Sequence, residues 1–382
     1  MRRTVYGEDH LAFGDSFRQF LEKEVVPPYP QWEADGMVPH DLFAKAGGYG
    51  FLGFSIPEEL GGGGVDDFRF NAILAEEAAY ASVSPAFIGL GLVNDVVTPY
   101  LTSYCNEEQS KRWLPGIASG ETVAAIAMTE PGTGSDLASI ATRAVREGDH
   151  YIVNGMKTFI TNGINADLVI VAVTTAPGER HSGLSLLVVE RDTPGFTRGR
   201  KLAKMGLHAQ DTAELSFVDA KVPVENLLGE EGAGFGYLVA NLAQERLSIA
   251  VASVAAVRAA LTTTLDYVKS RKAFGKPIST LQNTRFRLAE VATELDLAQT
   301  FVDQCLLAHL TGDLSAADAA KAKWWCTEFQ SRAIDTCLQL HGGYGYMTEY
   351  SISRAYTDGR VSRIYGGTTE IMKEIIGRDL GL

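Results

Sequence analysis

The chain has 382 residues, of which 46% are hydrophobic and 21% are charged. This composition supplies a large buried core and excludes an intrinsically disordered chain, and the length suits two or three packed domains rather than one. The formal net charge of −13 repels polyanions, which argues against nucleic acid or an anionic membrane surface as a general partner.

Residues 1–121 show the apolar periodicity of helices. One amphipathic run ends at Pro27-Pro28, a second extends from His40 to Gly50, a third from Asn71 to Ala81, and helical segments continue to Trp113. Proline ends a helix because it has no N–H to donate and its ring clashes with the preceding turn. We therefore expect an N-terminal helical domain over residues 1–121.

Residues 122–228 change to short apolar runs that are typical of strands. Glycine, asparagine, aspartate and proline separate these runs, the clearest of which are Val123–Ala127, Leu168–Val173 and Leu184–Val189. Strands that are joined by turns rather than by helices favour antiparallel pairing. The pattern predicts a small antiparallel sheet as the middle domain, over residues 122–228.

Helical patterns return over residues 229–382. One run predicts a continuous buried seam, because its apolar positions alternate in steps of three and four, as in helices that pack side by side. We expect a helical bundle here, with His309 as a hydrogen-bonded core histidine rather than a ligand. The seam positions are Leu288, Val291, Leu295, Ala298, Val302, Cys305 and His309.

Neither a membrane span nor a secretory signal is predicted. The most apolar long segment, Ser248 to Leu261, is interrupted by Arg258 and is shorter than a bilayer span, and no apolar stretch follows the basic start of the chain. The cysteines show no CxxC spacing, so we expect buried free thiols, a reducing compartment and a cytoplasmic location. They are Cys105, Cys305, Cys326 and Cys337.

Several common catalytic motifs are missing from the sequence. It contains no GxSxG elbow, no HExxH and no cluster of cysteine and histidine, so a serine hydrolase or a zinc site has no support and we expect no metal. The glycines of residues 229–236 do not fit the GxGxxG turn between a strand and a crossover helix, which argues against a Rossmann site. Gly275-Lys276 lacks the upstream glycine of a P-loop.

Four polar loops that are punctuated by glycine remain as candidate binding segments. They offer backbone N–H groups, hydroxyls and, in one loop, a cation beside an aromatic ring, which suits a phosphate group or the edge of a flavin. Each loop taken alone is more often an ordinary turn, so both interpretations stay open. The loops are Met128–Asp136, Phe159–Gly163, Arg271–Lys276 and Gln339–Gly345.

Over essentially its full length the chain resembles the acyl-CoA dehydrogenase family, and within it the long-chain members. Four segments in the same order carry the resemblance: 127–136 (AMTEPGTGSD), 199–215 (GRKLAKMGLHAQDTAEL), 271–276 (RKAFGK) and 365–374 (YGGTTEIMKE). The resemblance implies a mainly helical α+β fold with an N-terminal helical domain, a middle β-domain and a C-terminal four-helix bundle. It also implies a homotetramer, built as a dimer of dimers, with FAD between the domains of one subunit and a neighbour.

The resemblance further implies three groups of residues that hold FAD. One group would border the flavin ring: Ile126, Met128, Thr129, Gly134, Ser135, Phe159, Ile160 and Thr161. A second would reach the diphosphate and adenine end across a subunit interface: Arg271, Phe274, Gln282, Gln339, Gly342 and Gly343. A third, Thr368 and Glu370, would meet the diphosphate and ribose from the start of a helix, where N–H groups favour an anion.

The position of the catalytic base is implied by two motifs. In short- and medium-chain members a glutamate follows the tyrosine of the Tyr-x-Gly-Thr motif, but here Gly366 follows Tyr365. In the long-chain and isovaleryl branches the base lies in a Glu-Arg-Leu motif, which Glu245-Arg246-Leu247 matches. The resemblance therefore implies Glu245 as the base. From the residues alone, a glutamate near the start of a predicted helix, Leu242 to Lys269, is usually a solvated residue.

The resemblance also implies a set of residues that touch the acyl-CoA: Ser135, Ser182, Gly183, Ala243, Gln244, Arg246, Gly366 and Gly367. Gly236 departs from the long-chain members, which have a substrate-contacting tyrosine at that position. The glycines Gly89 and Gly91 in the predicted helix Ser84–Leu92 either deepen the acyl pocket or allow tight helix packing.

The implied reaction is α,β-dehydrogenation of a medium- or long-chain acyl-CoA to the trans-2-enoyl-CoA. Glu245 would remove the α-proton, the β-hydride would pass to flavin N5, and electron-transferring flavoprotein would accept the electrons. Three alternatives stay open: a branched-chain or sterol-side-chain dehydrogenase, an oxidase that passes electrons to oxygen, and a non-catalytic subunit of a hetero-oligomer.

Overall fold

The structure is a computed structural model that describes residues 3–179 and 181–382. In the described part, seven α-helices precede the sheet: α1 (Glu8–Phe20), α2 (Tyr29–Asp35), α3 (Asp41–Gly48), α4 (Arg69–Tyr80), α5 (Ser84–Gly91), α6 (Thr98–Tyr104) and α7 (Glu107–Ser119). The predicted helices His40–Gly50 and Asn71–Ala81 match α3 and α4 to within two residues at each end, whereas α7 continues six residues past Trp113 and α1 ends seven residues before Pro27. A π-helical segment, Leu92–Val97, joins α5 to α6.

Aromatic side chains hold these first helices together. Phe17 and Phe20 lie on the buried face of α1, and the Phe17 ring packs edge-on against Phe51 at 4.9 Å between centroids. Offset and edge-on pairs of this kind are favoured over a face-to-face sandwich because of the ring quadrupole. The same core continues through Ile126 and Leu186 of the sheet, so the helical layer is packed directly onto the strands.

The middle of the chain forms one eight-stranded sheet. Its strands are β1 (Ala124–Ala127), β2 (Arg143–Glu147), β3 (His150–Thr161), β4 (Leu168–Thr174), β5 (Leu184–Glu190), β6 (Phe196–Lys201), β7 (Thr212–Pro223) and β8 (Leu227–Leu228). The order is β6-β7-β3-β2-β4-β5-β8, with β1 beside β4. The three strands that the sequence predicts most clearly are all present.

The sheet is mixed, not wholly antiparallel as predicted. β1 runs parallel to β4, with Ala124 opposite Leu168, and β2 meets β4 in parallel at Arg143 and Thr174. The β2–β3 hairpin lies between β1 and β4 in the chain, so the chain can return to the same end of the sheet before β4 begins. Parallel pairing needs such a long connection, which turn residues alone do not reveal.

Long helices form the last third of the chain. They are α8 (Gly234–Ser270), α9 (Gln282–Leu310), α10 (Ala316–His341), α11 (Ser351–Gly359) and α12 (Thr369–Asp379), with a short hairpin of β9 (Lys272–Ala273) and β10 (Lys276–Pro277) between α8 and α9. The predicted seam is confirmed, since its positions from Leu288 to Cys305 are buried in one core with α8 and α10. His309 is partly buried and shares a hydrogen bond with Gln244 across 3.1 Å, as expected.

Helix α8 begins at Gly234, eight residues before the predicted start. Its length and hydropathy would allow a membrane crossing, but 56% of its most apolar window is buried inside the protein, as in the core helix of a bundle. The earlier start puts Glu245 about three turns into the helix. The interpretation from the residues alone, in which Glu245 is a solvated residue near the start of the helix, is therefore wrong.

The four cysteines are free thiols. Cys305, Cys326 and Cys337 are buried, as predicted, and burial raises the pKa of each thiol. The prediction is wrong for Cys105, which is only half-buried because it caps the end of α6, where the chain leaves the helical core.

Candidate active site

Glu245 is a buried carboxyl group in the first third of α8. It is 8% exposed, and its Oε1 accepts hydrogen bonds from the Tyr100 hydroxyl at 3.2 Å and from Asn241 Nδ2 at 3.5 Å. Burial raises the pKa of Glu245 to about 7, although the Tyr100 hydrogen bond, the Arg246 charge and Asn241 all act in the opposite direction. A carboxylate with a pKa near neutrality is suited to removing a proton at working pH.

Gly366 and Gly367 form a turn, the Gly366–Gly367 turn, immediately before α12. Both have positive φ, 62° and 95°, which side chains rarely adopt. A Cβ on Gly366 would overlap Ile249 Cδ1, and one on Gly367 would lie 2.6 Å from Met372 Cε. Ile249 follows Glu245 by one helical turn, so Glu245 lies on the same face of α8 as the side chain that contacts this turn.

The N–H groups of the Gly366–Gly367 turn are available to a ligand. Within the described residues, neither Gly366 nor Gly367 donates its backbone N–H to a carbonyl or side chain. Successive free N–H groups in a turn form a concavity that favours negative charge. The turn therefore offers hydrogen-bond donors near the face of α8 that carries Glu245.

Two buried cations lie close to this turn. Arg246 is 5% exposed, and its Nε has no hydrogen-bond partner among the described residues. Lys323 of α10 is fully buried and donates from Nζ to the Gly367 carbonyl oxygen at 2.6 Å. Burial and the nearby Arg246 charge lower the pKa of Lys323 to about 8, against the influence of Glu328 and Glu370.

A buried ion pair fixes the loop Met128–Asp136. Lys157 Nζ donates to Glu130 Oε1 at 2.8 Å and to the Met128 carbonyl at 3.1 Å. Glu130 also accepts the backbone N–H groups of Ala141 and Thr142, at 2.8 and 2.9 Å. The loop is therefore held against β3, while Gly134 and Ser135 at its tip stay exposed.

Phe159, Ile160 and Thr161 lie at the end of β3. Phe159 has φ of 61° and an exposed ring (68%), whereas Ile160 is buried below it. Positive φ is rare for an aromatic residue, and strain of this kind is often found at ligand sites. Thr161 Oγ1 accepts from Gln210 Nε2 at 2.6 Å. Thr158 N–H donates to the Thr129 carbonyl at 2.9 Å, which places this segment beside the Met128–Asp136 loop.

A second cluster lies at the far end of the bundle. Arg271, Gln339, Gly342 and Gly343 line an open cavity of about 500 Å³. The Arg271 guanidinium lies 5.3 Å above the ring of Tyr344, which also lines the cavity. Phe274 and Gln282 do not line it. Phe274 is 94% exposed with φ of 52°, and Gln282 is exposed at the start of α9.

Thr368 and Glu370 lie at the start of α12. The Thr368 hydroxyl accepts the Ile371 N–H at 3.4 Å, so Thr368 is the N-cap of α12. Glu370 is in the first helical turn, where hydrogen bonds to backbone and to Thr368 lower the pKa of its carboxyl group. The negative charge of Glu370 acts to raise the pKa of Lys323.

The remaining residues of the implied acyl-CoA set are distributed along α8. Ser182, which precedes Gly183, lies just before the start of α8, where a Cβ on Gly232 would lie 2.7 Å from the Ser182 carbonyl oxygen. Ala243 is half-buried one turn before Leu247. The Gln244 amide is engaged at both ends, since it donates to the Asp95 carbonyl at 2.7 Å and also contacts His309.

Gly89 serves close packing. A Cβ there would overlap Asn162 Oδ1, and Asn162 Nδ2 donates to the Gly89 carbonyl at 3.0 Å. Gly91 would place a Cβ 3.1 Å from the Phe87 ring. Of the two interpretations of these glycines, the structure therefore supports tight packing.

Five residues of the site were not found from the sequence: Tyr100, Asn241, Lys323, Glu130 and Lys157. Asn241 precedes Glu245 by one helical turn, so helical spacing could have indicated it. Glu130 lies inside the Met128–Asp136 loop, which the sequence indicates as a candidate binding segment. Tyr100, Lys323 and Lys157 reach their partners across the fold, and no local pattern indicates them.

Three family models match consecutive parts of the chain. They are the acyl-CoA dehydrogenase N-terminal domain (residues 7–121), middle domain (125–220) and C-terminal domain (232–381). A curated relative, the mitochondrial long-chain specific acyl-CoA dehydrogenase of Sus scrofa, is 47% identical over 380 residues, which cover 99% of this chain and 88% of that protein.

Solved structures of related proteins superpose closely on the chain. An acyl-CoA dehydrogenase from Geobacillus kaustophilus has a TM-score of 0.97 and 54% identity, with 99% of each chain covered. A glutaryl-CoA dehydrogenase from Mycobacterium smegmatis in complex with FADH2 has a TM-score of 0.90 and 28% identity, covering 98% and 95%. A structure described as the electron transferring flavoprotein of Acidaminococcus fermentans has a TM-score of 0.94 and 33% identity, covering 100% and 99%.

Proposed function

The chain belongs to the acyl-CoA dehydrogenase family of FAD-dependent oxidoreductases, and from this premise we propose that it dehydrogenates a medium- or long-chain fatty acyl-CoA with Glu245 as its base. One observation carries the proposal. A buried carboxyl group with a pKa of about 7 lies one helical turn from Ile249, which contacts a turn whose N–H groups are free.

Glu245 removes the α-proton of the thioester. The α-carbon is a weak acid, so its proton leaves only if the negative charge that develops on the thioester carbonyl oxygen is stabilised. The free N–H groups of the Gly366–Gly367 turn are the donors for that oxygen. No carboxylate occupies position 366, so the base is not opposed by a second acidic group in the same small site.

The reaction is balanced by two transfers from the substrate. The α-proton goes to a Glu245 oxygen, the β-hydride leaves from the opposite face of the acyl chain, and a trans carbon–carbon double bond forms between the two carbons. FAD, when bound, supplies the acceptor for that hydride. Tyr100 and Asn241 hold the carboxylate so that one oxygen stays free to receive the proton.

The described residues fit FAD. The open Phe159 ring, its strained backbone and the glycine-containing Met128–Asp136 loop offer an edge for the flavin, and Thr161 and Thr129 offer polar atoms beside it. Arg271 and the cavity that it shares with Gln339 suit a diphosphate or an adenine ring. These residues face outward, which supports completion of the cofactor site by a neighbouring subunit of a homotetramer.

The acyl-CoA would lie along α8. Ser182 lies near Gly232, two residues before α8 begins at Gly234, and Gly183 follows it; Glu245 is eleven positions after Gly234, about 16 Å at the rise of an α-helix. This separation suits a ligand with a long flexible arm between a nucleotide and a thioester. The unpartnered Nε of Arg246 supports a polar ligand atom next to the base, because a buried donor without an acceptor is costly.

The experiment is an anaerobic titration of the purified protein with saturated acyl-CoAs from butyryl to stearoyl, with isovaleryl-CoA and a sterol-side-chain acyl-CoA included. Bleaching of the flavin absorbance by a medium- or long-chain thioester supports the proposal, and an optimum at butyryl-CoA or at a branched substrate contradicts its chain length. Reduction of electron-transferring flavoprotein, compared with hydrogen peroxide formation, separates a dehydrogenase from an oxidase. The flavin content of the chain expressed alone tests the alternative that it is a non-catalytic subunit of a hetero-oligomer.

The cytoplasmic location also stays a proposal. Its support is the set of free cysteines, because a reducing compartment keeps thiols unpaired. Fractionation of the native cells with an antibody to the chain tests it.

A further inference from the structure

Lys323 is a buried ammonium group whose direct partner is a backbone carbonyl. Its side chain has no exposed surface, and Nζ donates to the Gly367 oxygen at 2.6 Å. Moving a charge out of water is costly, and buried lysines are usually paired with a carboxylate. A lysine kept at this position for packing alone could be replaced by an apolar side chain at little cost.

The charges around Lys323 do not neutralise it locally. Arg246 adds a second positive charge, while Glu328 and Glu370 act on Lys323 from farther away. Glu328 is itself paired with Arg363 at 2.9 Å, and it accepts the Thr369 hydroxyl at 2.8 Å. The region behind the Gly366–Gly367 turn is therefore positive, with Arg246 and Lys323 on two different helices, α8 and α10.

The hydrogen bond from Lys323 determines which polar groups of the Gly366–Gly367 turn can bind a ligand. It occupies the Gly367 carbonyl, whereas the N–H groups of Gly366 and Gly367 stay free among the described residues. Both residues are glycines, so they have no side chains that could fix the orientation of the turn. The hydrogen bond from Lys323 to the Gly367 carbonyl fixes the orientation of the turn instead.

We propose that Lys323 is a positioning residue for α-proton removal: by holding the Gly367 carbonyl it keeps the N–H groups of the Gly366–Gly367 turn aimed at the thioester oxygen, and its charge favours the enolate that forms there. This inference rests on the proposed dehydrogenation. Lys323 does not touch the reacting atoms, and it acts through the peptide groups of the turn. Fixed donors and nearby positive charge stabilise the transition state more than the neutral substrate.

The test compares Lys323→Met with Lys321→Met in the FAD-loaded protein. Methionine nearly keeps the length of the lysine side chain without its charge, and Lys321 is a partly exposed residue of the same helix that pairs with Asp318 at 2.9 Å. Lys323→Arg restores the charge and is the conservative variant. Each protein is checked for flavin content and for its melting temperature.

The expected result is a loss in kcat with little change in KM. Loss of a hydrogen bond to a charged group corresponds to about a 10- to 100-fold slower flavin reduction in Lys323→Met. Lys321→Met should reduce its flavin at the wild-type rate, and Lys323→Arg should recover part of the loss. A 3-thia-acyl-CoA, which can lose its α-proton but gives no productive hydride, should ionise at higher pH on Lys323→Met.

Hydrogen exchange gives a readout that needs no catalysis. Amides of residues 364–370 should exchange faster in Lys323→Met than in wild type or Lys321→Met. If Lys323→Met ionises the thia analogue at the wild-type pH and reduces its flavin at the wild-type rate, the inference is overturned, and equal losses of rate and flavin content would also overturn it. Failure of the wild type to reduce its flavin with any acyl-CoA would instead remove the proposed function, while the exchange measurement would still report on the turn.

Discussion

Tyr100 of α6 donates its hydroxyl hydrogen to Glu245 of α8 across 3.2 Å, so a helix from the first part of the chain holds the candidate base of the last part. Glu245→Gln should keep FAD and still bind acyl-CoA, because glutamine has nearly the same shape and can accept the Tyr100 hydrogen bond. Without a base, flavin reduction should fall about 10²- to 10⁴-fold. Stopped-flow absorbance under anaerobic conditions measures it, and wild-type bleaching in the variant would exclude Glu245.

Tyr100→Phe should shift the pH profile of the reaction. The hydroxyl stabilises the ionised carboxylate by about 1.5–3 kcal/mol, so its removal raises the pKa of Glu245 above its value of about 7. Flavin reduction should then need higher pH, whereas KM should change little. Tyr104→Phe is the control, since Tyr104 stacks on Tyr237 and makes no contact with the base. Identical profiles for all three proteins would contradict this role.

The raised pKa of Glu245 also predicts how stability depends on pH. The folded protein holds a proton on Glu245 up to about pH 7, whereas the unfolded chain releases it near 4.5. Between these values the folded state binds more protons, so the contribution of Glu245 to the free energy of unfolding is present below pH 4.5 and falls as pH rises to 7, by about 3 kcal/mol. Denaturant unfolding of the apoprotein should show this slope in wild type and less of it in Glu245→Gln.

Other buried acids contribute in the same direction, which makes the difference between the two proteins the useful quantity. Burial raises the pKa of Asp95 to about 6 and that of Asp358 to about 6, so both add to the slope in each variant. Parallel curves for wild type and Glu245→Gln would show that Glu245 is not protonated at neutral pH in the folded state.

Gly366→Ala should disturb both the turn and the base. The positive φ costs about 1–3 kcal/mol for a residue with a Cβ, and the added methyl group overlaps Ile249. We expect a lower melting temperature and weaker acyl-CoA binding. Gly377→Ala is the matched control, because a Cβ there meets nothing within 4 Å and helix α12 favours alanine. Gly366→Ala with wild-type binding and stability would contradict the described turn.

Lys157→Met should weaken FAD binding through the Met128–Asp136 loop. The change leaves Glu130 buried without its partner, which costs about 3–5 kcal/mol. The double variant Glu130→Gln with Lys157→Met carries no lone charge, so it should be more stable than the single variant but still hold the loop poorly. Flavin fluorescence measures the FAD affinity, and denaturant unfolding measures the stability. Unchanged FAD affinity in both variants would show that the ion pair does not support the cofactor site.

The sequence predicts the helical and β-rich parts of this fold well, because periodic patterns such as the seam from Leu288 to Cys305 are local and long. It does not predict the parallel partner of β1, since that pairing depends on where the chain returns after a hairpin. The base illustrates the same limit. A motif indicates Glu245, but only the packing of α6 onto α8 gives it Tyr100 and a raised pKa.

Asn162 connects helix α5 to the sheet through hydrogen bonds, and this limits which substitutions α5 can accept. Its amide donates to the carbonyls of Gly89 and Ala124, so one side chain joins α5 and β1 to the end of β3. Any side chain added at Gly89 must push Asn162, and with it the neighbouring Thr161. The packing of α5 is therefore coupled to the position of Thr161, and a library that varies α5 should vary residues 161 and 162 at the same time.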